Sequence, residues 1–292
     1  MGYKAGDWLL LITLTLIWGF SFFFIKKGLL TFSVVQVGAL RIFFSYLVML
    51  PIVLLQKKKL DTKTKFYSIV CGILGSGIPP FLFALAETKV SSAVAGILNS
   101  TTSLFVYLFG ILFFGILFQW RKIIGVCIGL LGVFTIISSG KGNLLDFNNS
   151  YGYFILIATL LYGLNANIMK AKILDRGIDS VLASAWTFMV IGPISILLLL
   201  YTDVAKTILS NPPQLALSLG SLICLGIMGT AIAIILFNKL TKRTDALFSS
   251  FVTYLMPIVT ITVGFADGET LQVIHIVGMA LILLGIYMST RK

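Results

Sequence analysis

Apolar residues run in long unbroken stretches, at roughly 8–26, 33–55, 66–86, 91–118, 121–139, 151–170, 180–201, 214–238, 245–266 and 270–290, and the polar residues between them cluster in short loops. Most stretches are close to the roughly 20 residues that cross a bilayer as a helix. The pattern predicts ten spanning helices and no extramembrane domain of useful size. The first stretch follows Lys4 as a signal peptide's apolar region would. It runs on through Trp18-Gly19-Phe20 into Phe22-Phe23-Phe24-Ile25-Lys26-Lys27, with no small-residue cleavage site, so it reads as an uncleaved helix.

Composition agrees. Of 292 residues, 58% are hydrophobic and 11% charged, and the mean hydropathy is +1.04. A soluble chain is about half apolar and a quarter charged. The net charge of +12 would suggest nucleic acid in a soluble protein, but here Lys and Arg sit in the loops. With the N-terminus inside, 16 of the 22 Lys and Arg fall on one side: Lys4, the cluster at 57–65, Arg121, Lys122, Lys170, Lys172, Arg176, Lys239, Lys242, Arg243, Arg291 and Lys292. Lys26, Lys27, Lys89, Lys141 and Lys206 fall on the other. This bias predicts ten spans in the cell (inner) membrane with both termini cytoplasmic. The expected partners are the lipid bilayer and a small-molecule substrate, with no nucleic acid; oligomeric state stays open. Cys71, Cys127 and Cys224 lie in apolar runs without CxxC spacing, and one histidine cannot build a histidine-rich metal site, so no cofactor or metal is expected.

An internal repeat orders the chain. Trp18-Gly19-Phe20-Ser21 followed by Lys26 is echoed by Tyr162-Gly163-Leu164-Asn165 followed by Lys170. Gly72-x-x-Gly75 matches Gly226-x-x-Gly229, and Gly125 and Gly132 match Gly278 and Gly285. The halves are therefore 1–139 and 151–292, joined by a polar loop at 140–150. Five helices per half is an odd number, so the second half enters the membrane from the opposite side.

This ordered set resembles the drug/metabolite transporter superfamily, EamA-type permeases, over nearly the whole chain. The resemblance implies an all-α membrane protein of ten transmembrane helices in two inverted five-helix repeats. It also implies outward movement of small metabolites, often amino acids, through a cavity bordered by helices 1, 3, 4, 6, 8 and 9. The second half has the family-like Pro257 and Glu269, whereas Ser103 and about Ile116 stand at the matching places of the first. The cavity is expected to be asymmetric.

Polar side chains inside spans should face protein or a water-filled cavity. Trp18, Ser21, Asn99, Thr102, Tyr162, Asn165 and Thr253 cluster by depth, and Phe22, Phe83 and Tyr254 would supply apolar walls; these are the expected substrate contacts. Their alternative use is to join helices by hydrogen bonds. Pro79-Pro80 should kink helix 3. Arg41 either binds a carboxylate or phosphate or, as the blander expectation, snorkels or pairs with an acid. Lys26, Glu87, Lys170 and His275 are candidates for gating or coupling, with Glu87 expected at the rim of the outer surface. No acid falls at the centre of any span, which argues against a midplane carboxylate exchanging proton for substrate.

Enzyme chemistry lacks its parts: there is no GxSG turn, no intramembrane Asp pair and no HExxH. Neither a charge ring nor a filter loop marks a channel. A carrier that alternates access is the expected function, with amino acids or similar zwitterions ahead of nucleotide sugars or organophosphates.

Overall fold

A chain in hydrocarbon must satisfy its backbone polar groups internally, so each apolar stretch becomes a helix. The protein is described by a computed structural model over residues 3–56, 60–137, 150–269 and 272–290. In chain order the helices are α1 (Ala5–Gly28), α2 (Val34–Leu55), α3 (Thr62–Ala86), α4 (Ser92–Phe114), α5 (Trp120–Ile137), α6 (Tyr151–Lys172), α7 (Ser180–Tyr201), α8 (Leu215–Arg243), α9 (Ala246–Ala266) and α10 (Val273–Thr290). Among the described residues, α1–α4 and α6–α9 are long and apolar enough to cross a membrane by themselves. α5 and α10 pack along each other, with Gly132 against the Gly278 carbonyl and Gly285 against Gly125, and complete the ten. The small-residue faces left open by the sequence thus meet within one chain. No strand occurs among the described residues.

The outside of the molecule is apolar, and the inside holds many polar side chains among apolar ones. Leu54, Phe113, Leu197 and Leu200 are exposed, while Ser45, Thr101, Thr159, Ser184 and Ser249 are fully buried. This inversion fits a lipid solvent, which takes apolar side chains and rejects unsatisfied polar ones.

The two halves make crossed contacts. α1 lies against α9, and α6 lies against α4. α2 packs on α7. Helix ends follow ordinary capping chemistry. Ser33 and Gln36 form a reciprocal capping box at α2, and Asp179 and Asp245 accept backbone N–H groups at α7 and α9. The fourth apolar stretch ends earlier than its sequence suggests. Gly115 adopts the left-handed conformation at φ 69° and stops α4 at Phe114, although the apolar run continues to 118.

α3 is interrupted just before its prolines: a π-helical turn at Ile73–Gly77 is followed by a bend at Ile78 directly before Pro79, and the Ile78 amide reaches back five residues to the Ile73 carbonyl at 2.9 Å. α8 carries the matching π-helical turn at Ile227–Ile232. The connector 140–150 lies outside the described residues apart from Ser150.

Candidate functional site

The π-helical turns face a cavity in the middle of the bundle. The volume open to the centres of water molecules is about 110 Å³, several times the roughly 10–15 Å³ that holds one water. Trp18, Ser21, Phe22, Phe83, Asn99, Thr102, Tyr162, Asn165 and Thr253 all line it, as does Arg41. Tyr254 does not. It lies one position round the helix from Thr253, is buried, and stacks on Phe251 at a centroid distance of 5.4 Å. Its expected role as a cavity wall is therefore corrected to packing within α9.

Pseudo-symmetry organises the lining. A Cβ on Gly229 would lie 2.8 Å from Ser21 Oγ, and one on Gly75 would lie 2.5 Å from Asn165 Nδ2. The glycines let α8 and α3 approach α1 and α6 at the positions where Ser21 and Asn165 turn inward. Trp18 Nε1 donates to the Gly229 carbonyl at 3.0 Å. In α3, Pro79 and Pro80 have no N–H, so the Gly75 carbonyl has no helical donor four or five residues on. Asn165 Oδ1 is buried without a hydrogen-bond partner among the described residues. On the opposite wall the polar groups are mutually engaged. Thr102 Oγ1 donates to Asn99 Oδ1 at 3.5 Å, and Ser103 and Thr253 hydroxyls lie 3.5 Å apart.

Several lining residues were not singled out by sequence. Ser76 and Thr230 immediately follow Gly75 and Gly229 in the matched motifs, a signal that extending the repeat by one residue would have caught. Thr187 of α7 and Asn238 of α8 carry no such mark. Asn238 Nδ2 donates to Ser184 Oγ at 2.8 Å.

Arg41 neither snorkels nor pairs with an acid. It is 9% exposed, and its Nε donates to Thr230 Oγ1 at 2.7 Å. No carboxylate lies within 4.0 Å of it among the described residues. The Thr230 hydroxyl in turn donates to the Leu225 carbonyl at 2.9 Å, so the π-helical turn fixes the arginine's partner. α2, expected to stay at the margin of the cavity, thus delivers its one charge into it.

The candidate gate residues divide between the two ends of the bundle. Lys26 pairs with Glu269. The Glu269 carboxylate also accepts the Ser92 and Ala93 amides, at 2.9 and 3.0 Å, at the start of α4. Burial alone would raise the Glu269 pKa; the Lys26 ammonium and the two amides outweigh it and hold the carboxyl below the usual glutamate range. Lys27 pairs with Asp267 at 2.6 Å beside it. Glu87 is not on the rim: it is 4% exposed, accepts only the Ser92 hydroxyl at 3.4 Å, and leaves Oε1 without a partner among the described residues. At the other end Lys170 pairs with Asp175 at 3.1 Å and donates to the Thr244 carbonyl at 3.2 Å. His275 is the third residue of α10, and its side chain lies outside the described residues.

A bundle of apolar helices, built as two inverted halves around a central cavity lined by both polar and apolar side chains, defines a membrane transporter. The model of the EamA-like transporter family matches twice, over residues 6–138 and 150–291, and the chain belongs to that family. A transporter of Archaeoglobus fulgidus is 25% identical over 98% of this chain and 99% of its own. The inner membrane transporter YedA of Escherichia coli is 25% identical over 96% of this chain and 89% of its own. One crystal structure superposes with a TM-score of 0.65 at 16% identity, covering 99% of this chain and 97% of that one, which shows the shared fold.

Proposed function

We propose that the protein carries amino acids or similar zwitterionic solutes by alternating access, rocking the halves 1–139 and 151–292 about the central cavity. The observation that carries this reading is the cavity itself. Repeat partners from both halves, Ser21 with Asn165 and Asn99 with Thr253, meet there between apolar walls. Hydroxyl and amide groups beside aromatic rings suit a small solute with both polar and apolar parts. The charge bias of the loops supports cytoplasmic termini, which puts the Lys26 end outside, and the YedA relative supports an inner-membrane location. Export is the direction the family resemblance favours. The missing enzyme motifs favour carriage over conversion.

Nucleotide sugars and organophosphates remain second. A phosphate group asks for several cations, and the cavity lining contains only Arg41, since Lys26 and Lys170 are held in ion pairs at the two ends. The test is counterflow in proteoliposomes loaded with unlabelled amino acids, with no ion gradient. Trans-stimulated uptake of a subset, reduced by Asn165→Ala, is expected. Absence of exchange for every amino acid would sink the substrate reading.

A further inference from the structure

We infer that Arg41 is the carboxylate-reading residue of the cavity and restricts the cargo to monocarboxylates bearing a hydrogen-bond donor at the opposite pole. The inference rests on the reading of this cavity as the solute site.

A guanidinium is charged at any accessible pH. Placed in a bundle core without a counter-ion it is costly unless something supplies one. Arg41 has no ion pair among the described residues. Its Nε is committed to Thr230, so the fork that remains is the pair of Nη groups. Such a fork matches the two oxygens of a carboxylate. Glu87, the acid that acts on it electrostatically, lies beyond the 4.0 Å of an ion pair, and Tyr162 is the other group that interacts with it electrostatically.

Tyr162 links this pole to a second one. It stacks on Phe83 at 5.9 Å, which makes an aromatic wall between them. One turn further along α6 is Asn165, whose unpartnered Oδ1 needs a donor. Gly75 packs against the Asn165 amide, close enough that a Cβ there would lie 2.5 Å from Nδ2. The unpartnered Asn165 Oδ1 and the Arg41 guanidinium, both in the cavity lining, recognise an ammonium and a carboxylate together. A single arginine balances one negative charge, which disfavours a dianionic phosphate.

The experiment is counterflow of a labelled amino acid mixture into proteoliposomes, challenged with unlabelled amino acids or with their α-carboxamides. Amino acids should compete and their amides should be at least about tenfold weaker, the scale of one lost charge-assisted hydrogen bond. Arg41→Lys keeps the charge without the fork and should raise the half-saturating concentration about tenfold. Arg41→Gln should erase the preference for acid over amide. Thr230→Val guards against misfolding at Arg41; it frees Nε and should raise the half-saturating concentration of amino acids more than that of their amides. Amides that compete as well as acids overturn the assignment while leaving the carrier reading standing, as does an Arg41→Gln variant that still discriminates. No exchange of any amino acid by the wild-type protein overturns both.

Discussion

Glu269 binds three donors from two helices, and its protonation is therefore tied to how the Lys26 end holds together. Its carboxyl lies below the usual glutamate value, so it stabilises the Lys26 end fully above about pH 4.3 and loses that contribution only as pH falls through the lower folded value. Thermal unfolding in detergent should show an acid-side loss of stability that is smaller in Glu269→Gln than in the parent; identical pH profiles would count against the clasp. Glu87 is the contrasting case. It is buried with one oxygen unpartnered, and an unmatched buried polar atom costs on the order of 1–3 kcal/mol. Glu87→Gln replaces the carboxyl group at that site with an amide of similar shape and should leave the melting temperature equal or higher. A drop of several degrees would mean the carboxylate has a partner, such as a bound proton donor or cation.

At the scale of elements, the motif residues mark crossings more than chemistry. A Cβ on Gly19 would lie 2.5 Å from Val259 of α9, and one on Gly163 would lie 2.7 Å from Phe105 of α4, so the repeated aromatic-Gly pair is where each lead helix crosses the opposite arm. Gly72 meets the Thr187 backbone carbonyl, which cannot retreat as a side chain would. Gly72→Ala should therefore destabilise by about 1–3 kcal/mol, whereas Gly220→Ala meets nothing within 4 Å and should be neutral or stabilising by up to about 1 kcal/mol. Equal melting temperatures for the two variants would contradict the close packing of α3 on α7. The ten helices were legible because apolar run length is a direct consequence of bilayer thickness. Most of the cavity was legible because Ser21, Asn99, Asn165 and Thr253 are polar at positions where lipid would reject them. Arg41 misled because snorkelling depends on which way a helix face turns, and run length carries no such phase. Tyr254 misled for the same reason. The π-helical turns were invisible because one extra residue in a turn leaves composition and length unchanged.

For the whole molecule, the pseudo-symmetry is broken at its ends. The second half supplies Glu269 to Lys26 of the first, while Ile116 stands at the matching place of the first half and offers Lys170 no acid. Lys170 turns to nearby Asp175 and a neutral carbonyl instead. The pairs that link the halves at that end, Arg176 with Asp61 at 3.5 Å and Arg243 with Asp7 at 3.8 Å, each have an exposed member. Exposed pairs contribute roughly 0–1 kcal/mol, while the Glu269 side chain is only 6% exposed. In a background with Cys127 and Cys224 replaced by serine, the cavity-lining Cys71 should react faster with a membrane-impermeant thiol reagent added from the Lys26 side once Glu269 becomes Gln. Unchanged labelling would mean the ion pair does not bar that entrance.

An unequal pair of doors has a kinetic meaning. On the proposed alternating-access reading, a protein with cargo on both sides shuttles back and forth loaded and never has to reset empty. On the same reading, a cycle with cargo on one side only includes a return without it, and that return has a deeper well to climb out of at the Lys26 end than at the end held by exposed pairs. One-way flux should therefore lag behind exchange, and the lag should shrink when Glu269 is neutralised.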